Sequence, residues 1–434
     1  MEMKIDCNNK NFIPPSQVKP QWTKAEKLLL PVSLIIAILF DRLVVTALFR
    51  IFSFTDSPND LELASSVFWI CYLIIFHSFF WQRVKEDYVL WFVAICTLAL
   101  CIWNFIFSRG NFDFRTITLF VIPSVLMAHA QWTANSFTLK SSDGMVSAWF
   151  KGWFIKPFTG LNRLLGVSAS LPSEKNRPYI KKVIQGICVS AILLIIIIPL
   201  LMGADQVFNL YFRQLFSSFS LGRLILHTII ILAVFSAFYS FLWNVGFGKN
   251  DTGIINSRSL SIDPIISSIV LGSIILVYVL FCIVQFTYLF AGAGLPTGMT
   301  YSEYAREGFA QTVVVCAINL FIFGVFLKYG TAHNLIKGML GALLVLTGIM
   351  LVSGWVRLDL YIVTFGMTWL RLLSAWFIIY LATVILLCAT KLLSKKEIPL
   401  LAICSLMLLA WYVVLGYLNP DNFINWYNNV YFLR

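Results

Sequence analysis

Charge is what this chain is short of. Asp, Glu, Lys and Arg make up only 12% of its 434 residues, against about 25% in soluble domains, which excludes an ordinary water-soluble enzyme. Histidine is scarce too: His77, His129, His227 and His333 are the four present. Each stands alone on an apolar run or at its end, outside any H-E-x-x-H pattern, so each is read as a hydrogen-bonded packing residue. The nine Cys form no C-x-x-C and have no His at ligand spacing, so they read as small buried hydrophobes, and neither a metal nor a cofactor is expected. There is no G-x-S-x-G, and the glycines around 291–298 are not followed by Gly-Lys-Ser/Thr, so neither a nucleophile elbow nor a phosphate loop is supported. The formal charge is +12, yet no basic run of five to eight residues occurs, and nucleic acid is excluded as a partner. The polar tail 1–27 carries Pro14 and Pro15 and lacks an apolar core with a small-residue cleavage site, so it does not read as a secretory signal.

What the chain has in excess is apolar length. Hydrophobic residues are 59% of it, with 38 Phe, 16 Tyr and 14 Trp. Eleven runs are long enough to cross a hydrocarbon core of about 30 Å: 28–49, 64–81, 88–107, 116–132, 183–202, 221–245, 264–290, 306–327, 333–353, 360–390 and 398–418. They are too long for strands and do not alternate, which excludes a β-barrel. The expected fold is therefore all-α, a polytopic integral membrane bundle of about eleven transmembrane helices with interfacial amphipathic helices added. Four segments follow: a cytoplasmic polar tail (1–27), a membrane part of about four helices (28–133), a cytoplasmic loop (134–182) and a membrane part of about seven helices (183–434).

Orientation follows from the basic residues. Of the 32 Lys and Arg, 21 fall in the N-terminal tail and the alternate loops on its side, and 8 on the other side; Arg42, Lys337 and Arg371 lie inside spans. Basic loops stay in the cytoplasm. The expected location is a bacterial cell membrane, with the N-terminus cytoplasmic and the C-terminus extracytoplasmic. In the loop 134–182, Trp149, Phe150, Trp153, Phe154, Phe158, Leu161, Leu164 and Leu165 share one half of a helical wheel, and Lys151, Lys156, Asn162 and Arg163 the other. That pattern predicts a helix lying in the headgroup plane, kinked at Pro157.

Three segments gather polar groups. In the first, Thr300-x-x-Glu303 reads as a capping box that starts a helix, with Tyr304, Arg306 and Glu307 in its first turns. In the second, Arg357, Tyr361, Thr364, Thr368 and Arg371 recur at spacings of 4 and 3, which predicts one polar helix face, with Asp359 close by. A cation inside the membrane costs about 3 kcal/mol on insertion scales, so Arg371 is expected to be buried with a partner, Asp41 or Glu307. In the third, Asn419, Pro420 and Asp421 read as N-cap, first helical residue and dipole-complementing acid of a short surface helix. All three fall on the outer side by the charge count. They are expected to converge, either binding an anionic ligand or forming a salt-bridge network.

The runs T-Y-S-E-Y-A-R-E-G-F at 300–309, R-L-D-L-Y-x-x-x-F-G-M-T-x-L-R at 357–371 and N-P-D-x-x-I at 419–424 occur in that order. Together they resemble the bacterial membrane family catalogued as domain of unknown function four-one-seven-three, over residues from about Ile180 to the C-terminus. That resemblance implies no activity. The reading favoured by the residues is a non-enzymatic sensor or accessory subunit with a membrane protein partner in the lipid bilayer. The alternatives are a transporter whose pathway the Arg371 stripe lines, and an enzyme acting on a lipid-linked anionic substrate.

Overall fold

A computed structural model of the chain describes residues 22–52, 60–106, 112–137, 144–170, 190, 193, 197, 201–202, 221–248, 262–285, 309–330, 333–394 and 398–432. The expected span 183–202 and the capping-box segment with Tyr304, Arg306 and Glu307 lie outside them, apart from single residues. Two compact units are formed, one from residues 1–46 and 152–248, the other from 47–151 and 249–434.

The first unit is built on α1 (Lys24–Phe40) and a π turn (Asp41–Val45) that runs on into α2 (Thr46–Phe52). Thr23 and Glu26 close a reciprocal capping box at the start of α1, satisfying two of the helix's orphan N–H groups. Later in the chain come α3 (Asp60–Phe79), α4 (Trp81–Val84), α5 (Tyr88–Ile106), α6 (Phe112–Thr133) and α7 (Met145–Phe154). Then α8 (Lys156–Thr159), α9 (Leu161–Ser170) and α10 (Leu221–Phe247) complete the first unit. Two side-chain pairs fix α10 antiparallel to α1: Trp243 Nε1 donates to Glu26 Oε1 at 2.9 Å, and His227 Nδ1 lies 2.6 Å from Asp41 Oδ1. The expected amphipathic helix is three helices, not one kinked helix. The break at Gly160 comes from packing: its N–H donates to Ser240 Oγ at 2.7 Å, and a Cβ there would meet Ser240 at 2.8 to 3.1 Å. Gly160→Ala is therefore expected to destabilise the protein by about 1–3 kcal/mol, measured as a lower midpoint of thermal unfolding in detergent.

The second unit holds α3 to α6 and most of α7, and then α11 (Pro264–Gln285), α12 (Phe309–Tyr329), α13 (Asn334–Phe365), α14 (Trp369–Leu393), α15 (Leu400–Tyr417) and α16 (Pro420–Tyr427). Its interior is mostly apolar, with Phe323, Leu343 and Leu358 among the fully buried side chains. Indole donors lock helices together: Trp376 and Trp411 each donate to the other's carbonyl at 3.1 and 3.0 Å, and Trp103 donates to Gly416 O at 2.8 Å. One end of this unit gathers the starts of α3, α6 and α14 and the ends of α5 and α15, through Asn104–Ser66, Trp103–Gly416 and the ring contacts of Phe114 with Tyr412 and Trp369. The opposite end carries the end of α6, where Trp132 donates to Asp87 at 2.7 Å. The start of α11 lies at that end too, since Ile262 N–H donates to Tyr329 O, where α12 ends and α13 is about to begin.

Among the described residues nine helices are long and apolar enough to cross a membrane. The fold is an all-α polytopic bundle, as the apolar runs predict. The expected span 116–132 forms α6, which is 22 residues long but is not among those nine. The largest departure lies at 353–360, expected to be a loop because Arg357 and Asp359 interrupt the apolar run. Instead α13 continues through them to Phe365 and stops at Gly366, whose φ of 77° and ψ of 174° suit glycine alone. Arg357 is taken into the helix and only 5% exposed. Gly366→Ala is expected to cost about 1–3 kcal/mol, again read from the unfolding midpoint.

Candidate functional site

The break at Gly366 decides the fate of the polar stripe. Arg357, Tyr361 and Thr364 are on α13, Thr368 is the N-cap of α14 and Arg371 is in its first turn. They do not share one helix face. Among the described residues the partners of Arg371 are a helix end and a ring: its guanidinium donates to Phe365 O at 2.9 Å and to Gly366 O, and lies 4.0 Å from the centre of the Tyr361 ring, while Glu307 lies outside those residues. A cation over the carbonyls that close α13 meets the negative end of the helix dipole, and the aromatic face adds a cation–π attraction. Asp41, offered as the partner of Arg371, is bonded to His227 instead.

The same end of the second unit receives the C-terminal helix. Asn419, in the left-handed region at φ 51°, accepts from Asn422 N–H and starts α16, with Asp421 in its first turn. Beyond α16, Asn428 makes a two-point contact with the turn that joins α13 to α14: its Oδ1 accepts from Met367 N–H at 2.7 Å and its Nδ2 donates to Met367 O at 2.9 Å. The structure thus brings together the second and third polar segments; the first lies outside the described residues. Asn428 was not among the residues singled out in the sequence, because an Asn in a run of polar residues carries no spacing signal.

The arrangement with the most chemistry is in the first unit. Asp41 is fully buried. It interrupts the long apolar helix Lys24–Ile51 about 15 Å of helix before Ile51, at 1.5 Å per residue. At this residue the α-helix gives way to the π turn, and the carbonyl of Asp41 accepts both the N–H and the hydroxyl of Thr46, the latter at 3.0 Å. Single π turns of this kind cluster at functional sites. Asp41 Oδ1 is 2.6 Å from His227 Nδ1, while Oδ2 is buried with no hydrogen-bond partner. The contact joins a carboxyl to an imidazole across two helices, with the Asp41 side chain fully buried and the His227 side chain 26% exposed. The sequence marks both residues as polar groups in apolar runs but says nothing of their pairing across 186 positions.

The other histidines are placed as follows. His77 and His129 face each other on α3 and α6, with Nε2 atoms 3.2 Å apart, and His333 caps α13 by accepting from Leu335 N–H. Among the described residues no group of three or more His, Cys, Asp or Glu is arranged to hold a metal ion.

The family model described as Domain of unknown function (DUF4153) matches residues 94–429. The chain belongs to the DUF4153 family. This corrects the resemblance to family four-one-seven-three. Short runs that mix Tyr, Arg, Asp and Gly recur in many polytopic proteins, so three such runs do not separate one membrane family from another. The DUF4153 match begins in α5, well before Ile180, and includes His227, whereas Asp41 precedes it. No curated protein and no solved structure matches this DUF4153 chain.

Proposed function

We propose that this protein is a proton-coupled transporter of a bacterial cell membrane and that Asp41 and His227 form its proton-binding site. The observation that carries this reading is the fully buried Asp41 inside a membrane-length helix, 2.6 Å from an imidazole on the helix packed against it. Ionisable groups inside the membrane are costly, and acid and imidazole chains of this kind are the proton relays of pumps and transporters. Protonation changes the charge of the α1–α10 contact, and a changed charge in a low dielectric favours a different packing of the two helices.

The orientation proposed is N-terminus inside and C-terminus outside. The 21-to-8 basic bias supports it, and so does connectivity within the second unit. The chain leaves that unit within α7 and re-enters it before α11, and the end of α6 and the start of α11 lie at the same end of it. A membrane protein then needs an even number of crossings in between, and α10 supplies one. The apolar run 183–202 is the natural second crossing.

A sensor or accessory subunit with a membrane protein partner is the second reading, favoured by the Trp376–Trp411 and Trp103–Gly416 locks that tie the second unit together. One experiment separates the two. Purified protein in vesicles containing a pH-sensitive dye is challenged in turn with organic anions, amino acids, sugars and metal cations. At least one class is expected to drive proton movement in wild-type vesicles and not in Asp41→Asn vesicles. If wild-type vesicles respond to none, or Asp41→Asn vesicles respond equally, proton coupling at this site is wrong. A stoichiometric partner captured from native membranes would then favour the second reading.

A further inference from the structure

Where α3 starts and α5 ends, the second unit buries three oxygen atoms that bond to nothing. Glu62, Ser65 and Ser66 lie three and four residues apart on α3 and so share one face of it. That face meets Asn104 of α5, whose Nδ2 donates to Ser66 Oγ at 2.8 Å. All four residues are buried, none more than 6% exposed, and all belong to the second unit. Among the described residues Glu62 Oε2, Ser65 Oγ and Asn104 Oδ1 make no hydrogen bond.

Ser66 explains why the amide oxygen is left over. Its hydroxyl gives its proton to Glu62 O at 2.7 Å, so toward Asn104 it accepts, and it holds the amide by the nitrogen. The Cys101 thiol is also within hydrogen-bond reach of Ser66, which uses the second lone pair. Asn104 Oδ1, on the same amide, stays within about 5 Å of Ser66 Oγ and faces the turn of α3 that carries Glu62 and Ser65. An ionised carboxyl and an amide oxygen only accept, and Ser65 brings a single proton to the three acceptors. Buried acceptors without donors are costly and call for an ion or a water. Arg115 of α6 acts electrostatically on Glu62, yet Oε2 of that carboxyl stays unbonded.

We propose that Glu62 Oε2, Ser65 Oγ and Asn104 Oδ1 bind a sodium ion. Hard cations take oxygen ligands, carboxylate and side-chain amide among them. Charge selects a monovalent ion. Glu62 supplies one negative charge and Arg115 offsets part of it, so a divalent ion would leave excess positive charge in a low dielectric. A small set of side-chain oxygens selects sodium over potassium, the larger ion, which gathers more ligands. Glu62 is in the first turn of the span Leu61–Phe79, and Asn104 is in the last turn of Tyr88–Ile106. The ion therefore meets its ligands within about one helical turn, roughly 5.4 Å, of the span ends. The site goes beyond the proton coupling proposed above and uses none of its residues.

The test is the thermal unfolding midpoint of the full-length protein in detergent, as sodium chloride replaces choline chloride at constant ionic strength. An ion bound only by the folded chain raises the midpoint as its concentration increases. The rise is expected with sodium and not with equal potassium chloride. Ser65→Ala deletes an unbonded hydroxyl, so in choline chloride it is expected to be at least as stable as wild type. It is expected to need roughly tenfold more sodium for the same rise, while Glu62→Gln shows no rise. Asp41→Asn is expected to respond to sodium as wild type does, which keeps this result independent of proton coupling. No sodium-dependent rise in wild type, or an unchanged sodium dependence in Ser65→Ala, would overturn the site, whether or not Glu62→Gln folds. An equal rise with potassium would overturn its assignment to sodium.

Discussion

Asp41→Asn is expected to slow solute-driven proton movement in vesicles by roughly tenfold or more, while the protein remains folded. The amide keeps the shape of the carboxyl and can still bond to His227 Nδ1, but it cannot carry a proton between two protonation states. Asp41→Leu has a larger structural effect. It leaves the His227 imidazole, 26% exposed, facing an apolar side chain at a position where it now has a carboxyl at 2.6 Å, and losing a hydrogen bond of this kind costs about 1–3 kcal/mol. Comparing the two variants separates coupling from stability. If Asp41→Asn transported as wild type does while Asp41→Leu unfolded, the pair would be a structural fastener only.

The largest effect on stability is expected at the opposite charge pair in the second unit. Glu62 of α3 is 6% exposed and Arg115 of α6 is 1% exposed, and the two interact electrostatically. Close by, Asn104 of α5 donates to Ser66 Oγ at 2.8 Å, and Ser66 donates to Glu62 O at 2.7 Å. Glu62→Ala therefore takes a negative charge from the surroundings of a buried guanidinium and is expected to lower the unfolding midpoint. Replacing both residues by apolar ones of similar volume is expected to cost far less, because the desolvation of both charges is then avoided. Unfolding of Glu62→Ala and of a Glu62→Leu, Arg115→Met double variant in the same detergent checks this. A double variant less stable than the single one would show that the pair itself, rather than the stranded charge, holds α3 and α6 together.

How far the sequence reveals this structure depends on the kind of signal. Apolar length is a local property, and so α5, α10 and α15 lie close to where their runs predict them. Helix ends are less legible where charge and backbone geometry disagree. Arg357 and Asp359 suggest a loop, yet the helix runs on until Gly366 supplies a conformation that other residues resist. The expected face from Arg357 to Arg371 fails for the same reason, since a spacing argument assumes an unbroken helix. Arg371 does find partners, but they are backbone carbonyls and a tyrosine ring, which no pattern of charged residues reveals. The Asp41–His227 pair is the clearest case of a site hidden from the sequence. Each residue is visible as an isolated polar group, and only packing of α1 on α10 makes them one site. The unbonded oxygens of Ser65 and Asn104 are likewise ordinary groups until burial is known.

The most direct measurement of the central claim is solute-driven proton movement in vesicles of wild type, Asp41→Asn and His227→Gln, compared at one pH. The account predicts proton movement driven by at least one solute class in wild type and its loss in both variants. Equal proton movement in all three, or none in wild type, would contradict the account.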